Sequence, residues 1–309
     1  MYKTLSRLAK ARNTLPVLSC VSVQNGVAKT TDIDVEITAP CALKDGTYHG
    51  HCFDKSIYLD AEIPLCDVPE LKIGKKIVGE FDVTADEIEN LKWVSIAMST
   101  EDTRYYLNGI FLDKGGKFVA TDGHRLNLIE KHITWHEATA GVVIPRKFVN
   151  LFFALFKELK AEKASFTIHK GHIVAQINDC AIKSKLIDGT FPEYQKVIPD
   201  YGKCKIKSKF KARDLVKALP ELTAINKANG GDSLVSVKLK DGKLFSTHSK
   251  KYEYMSTINT GDIVIGFNAV YLSKACDGIA YVEDAGSPMV IIDRRGTHKK
   301  TCVVMPLRV

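Results

Sequence analysis

The sequence predicts an α+β fold of tandem related units, each made of antiparallel hairpins and a few helices. Three observations carry that expectation. A glycine followed five residues later by threonine recurs from Gly26 to Thr31, Gly116 to Thr121 and Gly242 to Thr247. Each copy follows an apolar-x-apolar run (Val21 and Val23, Ile110 and Leu112, Val237 and Leu239) and turns on Asn-Gly, Gly-Gly or Asp-Gly, dipeptides that suit a tight hairpin. Between the hairpins lie helical periods with basic residues gathered on one side. The first interval between the repeated threonines is shorter than the second by about 36 residues. The expected layout is therefore a shortened unit over 1–79, a central unit over 80–202 and a third over 203–309.

The elements follow in order. Lys3, Arg7 and Lys10 share one face of a first helix whose other side carries Leu5, Leu8 and Ala11. Thr84 and Glu87 form a capping box ahead of Ile88, Leu91, Val94 and Met98, which predicts a second helix. A third opens at Pro145 and is apolar through Phe148, Leu151, Phe152, Leu155 and Leu159, with Arg146, Asn150 and Lys157 as a polar stripe and Lys147 and Lys160 beside it. The fourth, around Lys211 to Ile225, carries Arg213 and Lys217 one turn apart, and Pro220 is expected to kink or end it. A short fifth spans Asn268 to Gly278.

The chain has 309 residues, 45% of them apolar, and reads as a folded protein of two or three domains. No apolar run approaches the roughly 20 residues of a membrane span, and the N-terminal residues lack the apolar core of a secretory signal, so a cytoplasmic protein is expected. Eight scattered cysteines without a Cys-x-x-Cys pair read as reduced core residues. The formal charge is +8, from 44 basic and 36 acidic residues. Basic stripes on several helices suit phosphate, although lysines also simply face solvent. Without interleaved aromatics or a recognition-helix spacing, the contact they suit is sequence-independent, salt-sensitive and directed at a phosphate backbone.

Four stretches carry more than composition: Arg104 to Gly109 (RYYLNG), Val119 to Leu126 (VATDGHRL), Lys185 to Pro199 (KLIDGTFPEYQKVIP) and Val303 to Val309 (VVMPLRV). In that order they resemble the β sliding clamp of bacterial DNA polymerase III. The resemblance implies DNA-clamp domains in tandem, with helices lining a central channel and antiparallel sheets outside. It implies a head-to-tail ring, usually a homodimer, that encircles double-stranded DNA and needs neither catalysis, cofactor nor metal. It further implies a hydrophobic cleft for peptides of DNA polymerase, clamp loader and repair proteins. The matching positions are Leu107, Thr121, Gly123, His124, Arg125, Leu126, Pro192, Lys196, Val197, Tyr271, Val303, Met305, Pro306, Leu307, Arg308 and Val309. For DNA they are Arg12, Arg104, Tyr105, Tyr106, Arg146 and Lys147, to which the helix faces add Lys3, Arg7, Lys10, Lys211, Arg213 and Lys217.

The sequence departs from the family pattern in its short first unit, in Lys196 where arginine is common, in Val309 at the usual leucine, and in its basic balance. A non-encircling clamp relative that competes for loader or polymerase peptides shares every motif quoted, and assembly would distinguish it. Asp122, His124 and Arg125 could be drawn as an acid–base group, but no nucleophile or glycine-rich phosphate loop stands near them. His49, His51 and Cys52, or His132 and His136, fall short of a zinc ligand set.

Overall fold

A computed structural model describes residues 2–10, 15–53, 68–228, 235–247, 253–255, 260 and 263–308. The chain divides into two compact units. The first comprises Met1–Ser95, Glu101–Lys117 and Lys131–Thr190; the second comprises Ile96–Thr100, Phe118–Glu130 and Phe191–Val309.

The first unit is built on a nine-stranded antiparallel sheet. Its spatial order is Gly46–His49, Cys20–Gln24, Val27–Thr31, Val35–Pro40, Cys180–Lys185, His172–Ile177, Lys163–His169, Ile77–Thr84 and Thr134–Trp135. Asn25 and Gly26 (φ 52° and 75°) make the first hairpin turn, the left-handed pair that the dipeptide foretells. Ser184 and Lys183 pair with Val35 and Glu36, joining the strands of the short N-terminal region to those after residue 163. Glu36 is fully buried there, and its carboxylate accepts from Lys183 Nζ and the Leu71 amide, both at 2.8 Å. Such a charge is tolerable in the core only because both oxygens are engaged.

Helices α1 (Tyr2–Ala9), α2 (Gly50–Phe53), α3 (Ala85–Ser95) and α4 (Arg146–Glu158) belong to this unit. On α1, Lys3 and Arg7 are exposed while Leu5 and Leu8 are buried, as the periodicity predicts. Gly50 brings α2 against α1, since a Cβ there would stand 2.5 Å from that of Ala9. The Thr84 amide donates to Glu87 at 2.9 Å, which completes half of the predicted capping box. Pro145 turns out to be the extended residue before α4, so the helix begins one position later than its sequence suggests. Phe148 and Phe152 of α4 meet Phe166, whose ring stacks on Phe81 at 4.5 Å, and this cluster anchors the helix to the sheet.

The second unit holds strands ordered Lys117–Thr121, Arg125–Glu130, Lys300–Val304, Met289–Asp293, Gly278–Val282 and Ile206–Phe210, and a separate four-stranded sheet ordered Glu253–Met255, Lys243–Ser246, Ser236–Lys240 and Ile265–Asn268. The Asp241-Gly242 turn repeats the left-handed pair of the first hairpin (φ 48° and 71°). Helices α5 (Ala212–Ala228) and α6 (Ala269–Ser273) complete it. Pro220 does not end α5, which runs on to Ala228. Its ring lies on the exposed side, where water can take the carbonyl it leaves unbonded. The α6 helix stops five residues short of the expected Gly278, and Asn268 caps its start by accepting from the Val270 amide at 2.9 Å. Cys20, Cys41, Cys180, Cys276 and Cys302 are buried free thiols and Cys204 is half-buried, in line with reduced core residues. Burial pushes the Cys276 thiol up to about 12. No helix among the described residues is long and apolar enough to cross a membrane.

Candidate functional site

The second unit gathers most of the residues proposed for the peptide cleft around one turn. Thr121 donates its hydroxyl to the Arg125 carbonyl at 2.7 Å and accepts from the Gly123 amide at 3.1 Å. Asp122 accepts the amides of His124 and Arg125 at 3.0 and 3.1 Å. Gly123 takes φ 89°, which favours glycine. The turn thus presents His124 to solvent and starts the strand at Arg125.

Arg125 is the fixed charge of the site. Its side chain is only 11% exposed, and its Nε donates to Asp122 at 3.0 Å while Nη2 donates to the Ile96 carbonyl. The guanidinium lies 4.8 Å from the Tyr271 ring centroid, within cation–π range. His124 stacks on the same ring at 6.2 Å and 17°. Tyr271, on α6, is half-buried and links the turn to that helix.

The chain's last residues form the other wall. After the strand Lys300–Val304, the Met305 amide donates to the His124 carbonyl at 2.9 Å, and the Leu307 amide to Gly266 at 2.8 Å. Met305, Pro306 and Leu307 are each half-buried, and Arg308 is exposed. Val264, two residues before Gly266, is 39% exposed, and Ile96 is 38% exposed. Neither was among the residues expected from sequence: Ile96 meets the turn through its carbonyl's bond to Arg125, and Val264 adjoins the strand that receives Leu307, contacts between segments far apart in the chain. Half-buried Met305, Pro306, Leu307 and Tyr271 thus leave apolar surface about a turn that carries a pinned guanidinium, a candidate groove. It can hold an apolar side chain while Arg125 and Arg308 meet carbonyl oxygens.

Other expected cleft residues sit differently. Leu126 and Val303 pair directly across neighbouring strands at 2% and 1% exposure, so they are core beneath the groove and present no surface of their own. Pro192, Lys196 and Val197 are exposed residues of this unit, with Lys196 ion-paired to Glu193. Leu107 is a buried residue of the first unit, and Val309 lies outside the described residues.

The expected DNA residues divide between the units. Lys3, Arg7 and Lys10 are exposed on or just after α1, whereas Arg12 lies outside the described residues. Arg104 is paired with Glu101 at 2.7 Å, beside a 52% exposed Tyr105 that meets Tyr106 edge-on. Arg146 is half-buried at the start of α4. Lys147 is paired with Asp32, and burial pushes its ammonium below its usual range. In the second unit Lys211, Arg213 and Lys217 are exposed before and along α5. Among the described residues there is no cluster that could hold a metal ion.

Comparison with known proteins matches residues 83–193 to the DNA polymerase III beta subunit, central domain. A beta sliding clamp of Caulobacter vibrioides is 28% identical over 362 aligned positions, spanning 98% of this chain and 95% of the relative. That of Rickettsia bellii is 31% identical over 256, spanning 72% and 64%. Among solved structures, a DnaN sliding clamp (DNA polymerase III subunit beta) from Bartonella birtlesii bound to griselimycin superposes with a TM-score of 0.80 at 27% identity, covering all of this chain and 96% of that one. Fold and sequence agree with these relatives along nearly the whole chain, and the chain belongs to the β sliding clamp family of DNA polymerase III beta subunits.

Proposed function

We propose that this protein is a DNA sliding clamp, which encircles duplex DNA and tethers DNA polymerase and other replication or repair proteins. The observation that carries the reading is likeness to beta sliding clamps along nearly the whole chain, at 98% coverage; half-buried Tyr271, Met305 and Leu307 beside the Arg125 turn support it. Three clamp domains, over 1–79, 80–202 and 203–309, assemble head to tail as a homodimer. Exposed bases of α1 and α5, with Arg12, Arg104, Tyr105, Tyr106, Arg146 and Lys147, face the phosphates through weak, exchangeable contacts. Encirclement then supplies persistence without a tight grip, so the protein slides. No step of this work makes or breaks a covalent bond, and the protein acts as a non-catalytic cytoplasmic tether that raises the local concentration of its partner.

The groove at Tyr271, Met305 and Leu307 takes the apolar side chains of polymerase and clamp-loader peptides. Griselimycin, bound by the Bartonella relative, is a ready probe for it. Encirclement is tested by loading the protein onto nicked circular DNA with a clamp loader and then cutting the circle. Retention on the circle and release on linearisation is the expected result. Equal retention on both, with a monomeric mass in solution, would replace the ring with an ordinary DNA-binding relative.

A further inference from the structure

A second recessed surface in the second unit is chemically unlike the first. On the strands Ile206–Phe210, Gly278–Val282 and Met289–Asp293 lies a cavity of about 550 Å³. Its apolar lining includes Ile279, Tyr281 and Ile292. Lys207 and Lys209 alternate with buried Ile206 and Phe210, so both lysines project to the outer side of the strand. They pair in register with Tyr281 and Ile279 of the neighbouring strand, which puts two ammonium groups beside an apolar floor. Arg294 and Arg295 also line it.

The charge here is unbalanced. The carboxylate lining the cavity is Asp293, and Arg295 already occupies it with Nε and Nη2 at 2.8 and 3.1 Å. Among the described residues no acid pairs with Lys207, Lys209 or Arg294; Lys207 instead lies 5.9 Å from the Tyr281 ring centroid. Neighbouring unpaired cations repel one another, and an anion that fits among them relieves the repulsion.

We propose that this cavity is a second docking site, which takes an extended acidic peptide segment of a partner protein bearing an apolar side chain between its acids. Side chains two residues apart on a strand lie roughly 7 Å from each other, so carboxylates at i and i+2 of an extended peptide match the spacing of Lys207 and Lys209. The apolar floor decides between a peptide and a nucleic acid. A phosphate chain would satisfy the rim and leave half-buried Ile279 uncovered, and Tyr281 already has Tyr201 against it at 5.3 Å, which hinders base stacking. A partner holding both this cavity and the Leu307 groove would gain affinity from effective concentration alone.

The test uses the full-length protein and a fluorescent capped peptide, Glu-Leu-Glu-Leu-Glu, with a scrambled-charge Lys-Leu-Lys-Leu-Lys control and an oligothymidylate of equal charge. The acidic peptide should bind with an affinity that falls as salt rises. The double variant K207E/K209E should weaken it by about tenfold or more, because two exposed attractions become repulsions. Ile279→Asp should weaken it without altering either lysine, and circular dichroism confirms that each variant is folded. Undiminished binding to K207E/K209E, or stronger binding of the oligothymidylate than of the peptide, would overturn the proposal.

Discussion

The same backbone device occurs in both units, closed in one and open in the other. In the first, Thr31 bonds the Val35 carbonyl at 2.9 Å and accepts the Ile33 amide at 3.0 Å, while Asp32 accepts the amides of Asp34 and Val35. That is bond for bond the turn of Thr121 and Asp122. The likeness extends to the segments that seat against it. The Lys185 amide donates to Asp34, and Ile187 to Val143, as Met305 donates to His124 and Leu307 to Gly266. Counting from Val143 and Gly266, Lys147 corresponds to Val270 and Phe148 to Tyr271. What differs is the occupant. In the first unit Lys147 pairs with Asp32, and Phe148 is buried at 1% exposure. In the second, the aspartate turns inward to Arg125, and Tyr271 remains half-exposed beside Met305 and Leu307. The candidate groove therefore differs from its closed counterpart in a few side chains: valine for the lysine, tyrosine for the buried phenylalanine, and arginine where Val35 stands.

The largest test of this comparison removes the wall that only the open copy exposes. Deleting Met305 to Val309 should lower affinity for an apolar peptide by about a hundredfold or more, since hot-spot contacts cluster in such a groove. Urea unfolding should shift little, because these residues follow the last core strand. Undiminished affinity by fluorescence anisotropy would place the peptide elsewhere.

Next in size is the pair of aspartates. Asp32 is 5% exposed and Asp122 17%, and each holds two turn amides and one cation. Asp32→Ala should cost about 2–3 kcal/mol of stability by urea unfolding and leave peptide affinity alone. Asp122→Ala should cost a similar amount and also weaken the peptide about tenfold, because Arg125 loses its pin. Equal effects of both on affinity would break the division between a structural and a binding copy.

Smaller again is the position at which the two turns differ in strain. Ile33 takes φ 81° where Gly123 takes 89°, and a β-branched residue is strained in that region. Ile33 is 45% exposed, so its side chain returns little burial. Ile33→Gly should therefore stabilise by about 0.5–1 kcal/mol in thermal or urea unfolding, whereas Gly123→Val should destabilise by about 1–2 kcal/mol. A loss of stability in Ile33→Gly would show that its side chain makes contacts worth more than the strain.

Much of this was legible in the sequence. The turns at Asn25-Gly26 and Asp241-Gly242, the capping box at Thr84 and the two-sided α1 all rest on local chemistry, which a sequence displays directly. Pro220 misled because a proline's cost depends on whether the carbonyl it abandons can reach water, a matter of helix orientation. Leu126 and Val303 looked like groove residues by motif, yet strand pairing buries both. The link from Arg125 to the Ile96 carbonyl, and the lysine that closes the first copy from 115 positions away, needed the fold itself. The second likeness, Lys185 to Ile187 against Met305 to Leu307, shares hydrogen bonds and almost no side chains. Repeats detected by residue identity stop at the hairpins for that reason.

The smallest expected effect is a pH dependence confined to the first unit. Glu158, at the end of α4, accepts the Lys3 and Thr4 amides at 3.1 and 3.0 Å and a hydroxyl bond from Thr4, and so caps the start of α1. Burial works to raise its carboxyl, but the N-terminal ammonium, followed by the Thr4 hydroxyl and the Lys3 amide, prevails and holds it below the usual 4.5. A depressed carboxylate contributes stability that is complete above its unfolded value and is lost as pH falls through the lower folded one. Glu158→Gln should therefore cost about 0.5 kcal/mol at pH 7, little at pH 3, and flatten the acid limb of the urea-unfolding profile. Peptide affinity, which depends on the second unit, should be unchanged at pH 7. A variant that kept the wild-type acid limb would show that α1 is held by Leu5 and Leu8 alone, and that the ionic contact at its first turn adds nothing.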